Sequence, residues 1–291
     1  MSIISRRIHI NTENQEKETL KWKHQVKKSI LSEVNFVNAE LLWLMAIIYK
    51  HNNEVRHLEK ESENIVFICP NAIIADILRT VKISPKQQQN LMKDLNSMYH
   101  KGSFKVVETR RTKVPKKLRW NETVAIDVTN LIRMKDEKVP FIGLEDDDLL
   151  LMTSSEEFKL SQIPTLLAVY VNIISYFNMR DVASVDNGEF DILYDNKKED
   201  RPHIDCWASI GKLCTTRFSQ DEKVEQWISK DTLQKYIKLL VKAGLLEIVK
   251  PNPKYTKGEN FSNHYCFPRH KNLVQQLADR DAYQTVYKKS L

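Results

Sequence analysis

The sequence predicts a mainly helical α+β protein in which a helix followed by a small β-hairpin occurs twice. A helix start signal, a helical run and a stopping glycine occur at 84–102 and again at 229–244. Each glycine is followed by two short strand-like runs on either side of a turn. These observations place the two copies at 85–127 and 230–268.

The first copy begins at Ser84 and Pro85. A serine cap before proline is a common helix start. Proline has no backbone N–H, and the N–H at the first helical position has no hydrogen-bond partner within the helix, so nothing is lost. The helix is expected to end at Gly102, since glycine readily takes the left-handed conformation at a helix C-terminus. The runs FKVVE and TVAID then read as strands flanking the basic turn TRRTKVPKKLRW.

The second copy repeats this order. Ser229 precedes the helical run KDTLQKYIKLLVKA, Gly244 ends it, and LLEIV and HYCFP flank the turn KPNPKYTKGENFSN. A support helix precedes each copy, at NAIIADILRTV and at CWASIGKLCTTRF, where Trp207 is expected to be buried. Helix, turn, helix and hairpin is the order of a winged helix, whose second helix enters the major groove of duplex DNA. The sequence therefore predicts two winged-helix domains in tandem.

Further elements complete each domain. Apolar helices are predicted from Asn38 (NAELLWLMAIIYKHNN) and from Pro164 (PTLLAVYVNIISYFN). A loop is expected at 54–63, followed by the strand NIVFICP. A final helix is predicted at 272–289, and its packing face is expected to contain Leu273, Val274, Leu277 and Tyr283.

The predicted organisation is a basic N-terminal arm (1–33), a first winged-helix domain (34–134), an acidic linker (135–163) and a second winged-helix domain with a C-terminal helix (164–291). The basic stretch 21–29 fits either a helix that contacts phosphate or a loosely docked arm. A short helix is expected within the linker at 146–152. The polar insertion at 180–203 has no assigned role and contains one strand-like run, EFDILY.

Composition narrows the classes of partner. The 291 residues carry a net charge of +7 and a pI of about 9.0, which favours nucleic acid over a membrane as a polyanionic partner. No apolar run approaches the ~18 residues of a membrane span, and no signal peptide follows Met1, so a cytoplasmic protein is expected. The cysteines at 69, 206, 214 and 266 form no metal-binding spacing, so free thiols and no metal or other cofactor are expected.

The strongest candidate site is the basic turn of the first copy. Six cations crowd into ten residues with no acid between them: Arg110, Arg111, Lys113, Lys116, Lys117 and Arg119. Such a cluster repels itself unless a polyanion neutralises it, and release of counterions from DNA phosphate rewards that contact. The second turn contributes Lys254 and Lys257.

The outward faces of the two second helices are the candidate base-reading surfaces. Glutamine and asparagine can bond adenine edges, and lysine can reach guanine or phosphate. On the first helix these residues are Lys86, Gln87, Gln89, Asn90 and Lys93, with Asn96 also expected outside. On the second helix they are Lys230, Thr232, Gln234, Lys235 and Lys238. A helix face exposed only to solvent uses the same residue types. The prediction of base contact therefore depends on the hairpin that follows each helix.

Catalytic patterns are lacking, so no enzyme is expected. None of the six glycines belongs to a GxxxxGK[ST] phosphate loop, and no His-x-His pair accompanies a tyrosine nucleophile. The acidic run at 145–148 has no second carboxylate set with which to hold a metal ion, and is more simply a linker.

The tandem arrangement resembles plasmid replication initiators built from two winged helices, which bind repeated origin sequences. The segment SKDTLQKYIKLLVKAGLLEIVKP is also similar to the winged-helix part of phage and Firmicute replisome organisers, in which a "TL..YI..L...GLL" helix precedes the wing. The chain differs from the initiators in its insertion at 180–203 and in its plain N-terminal arm.

The leading hypothesis is a duplex DNA-binding replication initiator of a plasmid or phage-like element, which would recruit host helicase or polymerase machinery. The alternatives are a winged-helix transcriptional regulator and a non-catalytic replisome or segregation adaptor. Both a monomer and a homodimer are compatible with the sequence.

Overall fold

The computed structural model describes residues 24–27, 30–31, 39–58, 64–79, 82–132, 141–144, 146–154, 158–179, 184–186, 189–191, 203–215 and 226–287. In these residues the protein is a mixed α+β fold of helices and small antiparallel sheets. The helices are α1 (Glu40–Leu58), α2 (Pro70–Ile77), α3 (Pro85–Lys101), α4 (Asp146–Ser154), α5 (Ile163–Ser175), α6 (Ile210–Thr215), α7 (Lys230–Lys242), α8 (Pro253–Thr256) and α9 (Lys271–Tyr287). The strands are β1 (His24–Lys27), β2 (Ile65–Ile68), β3 (Lys105–Val107), β4 (Val124–Asp127), β5 (Phe141–Leu144), β6 (Asn178–Met179), β7 (Ser184–Asp186), β8 (Glu189–Asp191), β9 (His203–Cys206), β10 (Glu247–Val249) and β11 (His264–Cys266).

The first unit comprises α1, β2, α2, α3, β3 and β4. Its three strands form an antiparallel sheet in the order β2-β4-β3, with Val66 opposite Ile126 and Val106 opposite the same residue on the other side. Because side chains alternate along a strand, Val66 and Ile68 are buried while Phe67 points to the exposed face.

The second unit comprises α5, β6, β9, α6, α7, β10, α8, β11 and α9. Its main sheet has the order β10-β11-β9-β6. Within it, β9, α6, α7, β10 and β11 follow one another as β2, α2, α3, β3 and β4 do in the first unit, and the returning strand is again central. The short strand β6 is an addition at the outer edge of β9.

One hydrophobic core joins the two units. Helices α1 and α5 pack against each other, and every side chain at 40–48 of α1 and at 166–175 of α5 is buried. The indole Nε1 of Trp43, fully buried in α1, donates to the Leu91 carbonyl of α3 at 2.8 Å. The units therefore share an interior and pack over a common pair of helices.

The residues between the units take part in this packing. Strand β5 pairs with β1, and α4 packs against α5 and α2. Leu149 and Met152 are buried, and the Tyr170 hydroxyl of α5 donates to Asp148 Oδ2 at 2.7 Å. At least one carboxylate of the acidic run therefore serves a structural contact.

Several local predictions are wrong. Helix α1 continues to Leu58, through part of the predicted loop at 54–63. Residues 24–27 of the basic stretch form a strand, because Val26 is buried in a pairing with the distant β5. Cys206 ends β9 instead of starting a helix, and Trp207 is 41% exposed. The errors at residues 24–27 and at Cys206 and Trp207 both arise from strand pairing between segments far apart in the sequence. A local pattern of residues does not reveal such pairing.

The last helix also differs from its predicted packing face. Helix α9 buries Val274 and Leu277 as expected, together with Ala278, Ala282 and Val286. Tyr283, predicted to pack, is 46% exposed. No helix in the described residues combines the length and apolar character needed to cross a bilayer.

Candidate nucleic-acid interface

Helix α3 begins with a reciprocal cap. The backbone N–H of Gln87 donates to Ser84 Oγ at 3.3 Å, and the backbone N–H of Ser84 donates to the side-chain Oε1 of Gln87 at 2.8 Å. Gly102 ends the helix at φ 75°, in the left-handed region that glycine adopts without strain. The predicted start and end of this helix are confirmed, and the cap already engages the Gln87 side chain.

The basic loop, residues 108–123 between β3 and β4, has a defined tip. Thr109 Oγ1 accepts from the amides of Arg111 and Thr112, and the Thr109 amide donates to the Thr112 carbonyl at 2.9 Å. This turn leaves Arg110 and Arg111 exposed at its apex. Their guanidinium groups therefore project from an ordered backbone.

The base of the basic loop is fastened to α3. The Leu118 amide donates to Asn96 Oδ1 at 2.8 Å, and Asn96 Nδ2 donates back to the Leu118 carbonyl at 3.2 Å. The Tyr99 hydroxyl donates to the Pro115 carbonyl at 2.9 Å. Asn96, expected on the outside, is buried, because it satisfies the two backbone groups of Leu118. A helix pattern alone does not distinguish this role from a solvent-facing asparagine.

The cations of the basic loop point outward. All six are exposed: Arg110, Arg111, Lys113, Lys116, Lys117 and Arg119. Arg119 lies 3.9 Å from the Glu122 carboxylate, but its side chain is 83% exposed, and such a pair contributes little. The loop thus holds a high density of positive charge on a backbone tied to α3.

Some exposed residues of α3 face only solvent, and others lie at the junction of the two units. Lys86, Gln89, Asn90 and Lys93 are exposed, whereas Gln87 is half-buried. Gln87, Asn90 and Lys93 line a groove of about 350 Å³ between α3, the start of α1 and the start of α5. Asp94 also lines this groove, and burial raises the pKa of its carboxyl.

Helix α7 presents a comparable polar face. Ser229 caps it, accepting from the Thr232 amide at 3.2 Å, and the two hydroxyls are 2.7 Å apart. Leu233, Ile237 and Leu240 are buried. The predicted contact residues Lys230, Thr232, Gln234, Lys235 and Lys238 are all exposed. The cap engages the Thr232 hydroxyl.

The second loop, residues 250–263 between β10 and β11, is built differently. It contains the helix α8, which the sequence interpretation treated as plain turn. The Asn252 amide donates to Asp279 Oδ1 of α9 at 2.6 Å, and Gln275 Nε2 donates to the Lys250 carbonyl at 2.8 Å. The second loop is therefore tied to the C-terminal helix.

Two of the three lysines of the second loop lie over tyrosine rings. Lys254 Nζ is 4.6 Å from the ring centre of Tyr255, and Lys257 Nζ is 4.1 Å from that of Tyr287. A hydrogen bond with Tyr255 raises the pKa of Lys254. Lys257 has φ 47°, which lysine rarely adopts. The sequence interpretation assigned Tyr283 to the packing face of the last helix and did not single out Tyr287, although the two have the four-residue spacing that brings side chains together on a helix.

A buried histidine–aspartate pair lies in the main sheet of the second unit. His264 Nδ1 and Asp205 Oδ2 are 2.8 Å apart on the paired strands β11 and β9, and both side chains are buried. All four cysteines lie in the described residues and are free. Burial raises the pKa of the Cys206 and Cys266 thiols to about 12, so both stay protonated and weakly nucleophilic.

Two surfaces therefore emerge from the described residues: an exposed cationic loop fastened to α3, and a tyrosine–lysine cluster formed by the second loop and α9. Comparisons with protein-family models, with curated proteins and with solved structures find no match to this chain.

Proposed function

We propose that the protein is a duplex DNA-binding replication initiator of a plasmid or phage-like element. Both units act as winged helices, with α3 and α7 as recognition helices and the basic loop as the wing that contacts the phosphate backbone. The observation that carries the proposal is the exposed basic loop, held by Asn96 and Tyr99 against the helix that would enter the groove. A pre-ordered cationic wing reaches the phosphates without a large loss of conformational entropy.

The order of elements supports the recognition role of the helices. In each unit, a strand and two helices precede a hairpin whose second strand is central, as in a winged helix. The exposed residues of α3 and α7 include glutamine and lysine, which read base edges and phosphates. Because the units share one core, binding by one would place the other near the same duplex and raise its effective concentration.

Within α3, the structure favours some predicted contacts over others. Lys86 and Gln89 are exposed, their side chains take no part in the helix cap, and they do not line the groove at the junction of the two units. Gln87 is half-buried and capped to Ser84. We therefore assign base contact first to Lys86 and Gln89, and assign Gln87 to positioning the helix start.

The transcriptional regulator uses the same surface, so DNA context separates the two functions. A direct-repeat array beside the coding sequence is expected for an initiator, and one palindrome over a promoter for a regulator. An adaptor that does not bind DNA would show no salt-dependent association with any duplex.

The direct test neutralises the wing. We expect replacement of Arg110, Arg111, Lys116 and Lys117 by alanine to weaken binding to every duplex tested. If each cation neutralises one phosphate, the slope of log affinity against log salt becomes shallower by about 3–4. Fluorescence anisotropy with a labelled duplex over a salt series measures both quantities.

A matched control removes the same number of charges elsewhere. The exposed residues to replace by alanine are Arg79, Lys159, Lys212 and Lys271. This control should keep most of the affinity and the salt slope, since the wing charges act by contact. Equal losses in both variants would contradict a specific wing surface and leave only a general effect of net charge.

A further inference from the structure

Three tyrosines, of which Tyr283 is exposed and the other two are half-buried, cluster between the second loop and α9. Tyr283 and Tyr287 of α9 stack with ring centres 4.7 Å apart and planes 22° apart. Tyr255 of α8 meets Tyr283 edge to face, at 6.3 Å and 86°. We name Tyr255, Tyr283 and Tyr287 the tyrosine platform.

The core does not account for this platform. Helix α9 buries Val274, Leu277, Ala278, Ala282 and Val286, and the first three of these pack with Val249 and Cys266 of the sheet. Tyr283 lies off that face and stays 46% exposed, even with its contacts to two other rings. Exposing so large an aromatic surface is unfavourable in water, and aromatic rings in such positions are enriched where they contact a partner.

Two lysines lie over rings of the platform. Lys257 Nζ lies over the Tyr287 ring and Lys254 Nζ over the Tyr255 ring, and both side chains are exposed. The neighbouring carboxylate of Asp279 accepts from the Asn252 amide and from Gln275, so it serves to hold the second loop. Lys257 keeps its place at φ 47°, a backbone conformation that costs lysine energy.

Stacked rings edged by lysines match one ligand chemistry: an unpaired base on a phosphate backbone. The bases of a duplex are already stacked on each other and offer no free faces. A proline-rich peptide also stacks on aromatic rings, but it carries no charge that would use the lysines.

We propose that the tyrosine platform binds single-stranded DNA, with a base stacked on Tyr283 and the adjacent phosphates held by Lys254 and Lys257. This goes beyond the duplex surface proposed above and depends on it only for the choice of DNA over RNA. The platform belongs to the second unit and the basic loop to the first, so one chain could hold a duplex and an unpaired strand at once.

The test measures binding of the full chain to a fluorescein-labelled 15-nucleotide oligothymidine by anisotropy. Tyr283→Ala is expected to weaken this binding about 10-fold, the lower part of the range for loss of one base stack. Tyr283→Phe keeps the ring and should stay within about twofold of the unchanged chain. Binding to a labelled duplex should be the same in all three proteins.

Photocrosslinking of a 5-bromodeoxyuridine oligonucleotide to the unchanged chain gives a second measurement, independent of whether the variants fold. Crosslinks within α8 or the C-terminal half of α9 support the platform, and crosslinks confined to other segments overturn it. Equal oligothymidine affinity of Tyr283→Ala and the unchanged chain also overturns it. Binding of oligouridine RNA that depends on Tyr283, without any binding of oligothymidine, overturns the proposal as well.

Failure of the two proposals is distinguishable. Duplex binding without oligothymidine binding refutes the platform and leaves the wing proposal standing. Oligothymidine binding that depends on Tyr283, without duplex binding, refutes the wing proposal and leaves the platform standing.

Discussion

The basic loop and the second loop occupy the same place in the same order of elements, yet their cations have different surroundings. In the basic loop, six cations point to solvent from a backbone fastened to α3. In the second loop, Lys254 and Lys257 lie over tyrosines, and the backbone is fastened to α9. One fold position can thus present free charge or charge combined with aromatic surface.

The difference follows from the preceding helix. Helix α3 has 17 residues and α7 has 13, so α3 extends one turn further. Asn96 and Tyr99 lie twelve and fifteen residues after Ser84, and the corresponding positions after Ser229 are Val241 and Gly244. The second unit therefore has no polar side chain at these two positions with which to hold a loop, and α9 takes that role.

The largest expected effect tests the fastening of the basic loop. Asn96→Ala leaves the buried amide and carbonyl of Leu118 without partners, which should lower the free energy of unfolding by about 2–4 kcal/mol. Urea denaturation of the variant and of the unchanged chain measures this difference in the free energy of unfolding. Asn90→Ala on the exposed side of the same helix should change stability by under ~0.5 kcal/mol. If the two variants were equally stable, Asn96 would not hold the loop.

A smaller effect tests the fastening of the second loop. Asp279→Ala removes the acceptor of the Asn252 amide and of Gln275, with an expected loss of about 1 kcal/mol, because the site is largely exposed. Asp279→Asn keeps an acceptor oxygen and should recover most of that loss. Thermal unfolding followed by circular dichroism compares them, and equal losses would point to the carboxylate charge instead of the hydrogen bonds.

The smallest effect tests the backbone of the second loop. Lys257 is the one described non-glycine residue with positive φ, so Lys257→Gly relieves strain of about 1–2 kcal/mol. It also removes the contact with Tyr287, worth about 0.5–1 kcal/mol at an exposed site. A net gain of about 0.5 kcal/mol is expected in denaturant unfolding. A net loss would mean that the lysine–tyrosine contact outweighs the strain.

Local signals predicted the second helices well. The starts at Ser84 and Ser229 and the end of α3 at Gly102 are confirmed, because capping depends on residues within one turn. The strands around both turns are confirmed for the same reason, since the hairpins form between neighbouring segments. The coarse α+β class is confirmed as well.

Contacts between distant residues were not predictable in this way. The roles of Asn96, Asp205 and Tyr283 depend on partners up to 59 residues away, and the sequence holds no local mark of those partners. The role of Trp207 was mistaken because its apolar character is visible in the sequence, while the strand pairing that turns it outward is not.

By itself the sequence determined where the second helix of each repeat begins, which residues form its apolar side, and where the positive charge is concentrated, since these depend on side chains a few positions apart. Only the tertiary structure decided that α1 and α5 join both units in one core, that α3 holds the first loop and that α9 holds the second. Those outcomes depend on which surfaces meet after folding, and burial and hydrogen-bond satisfaction across the whole chain select among the many arrangements that local preferences allow.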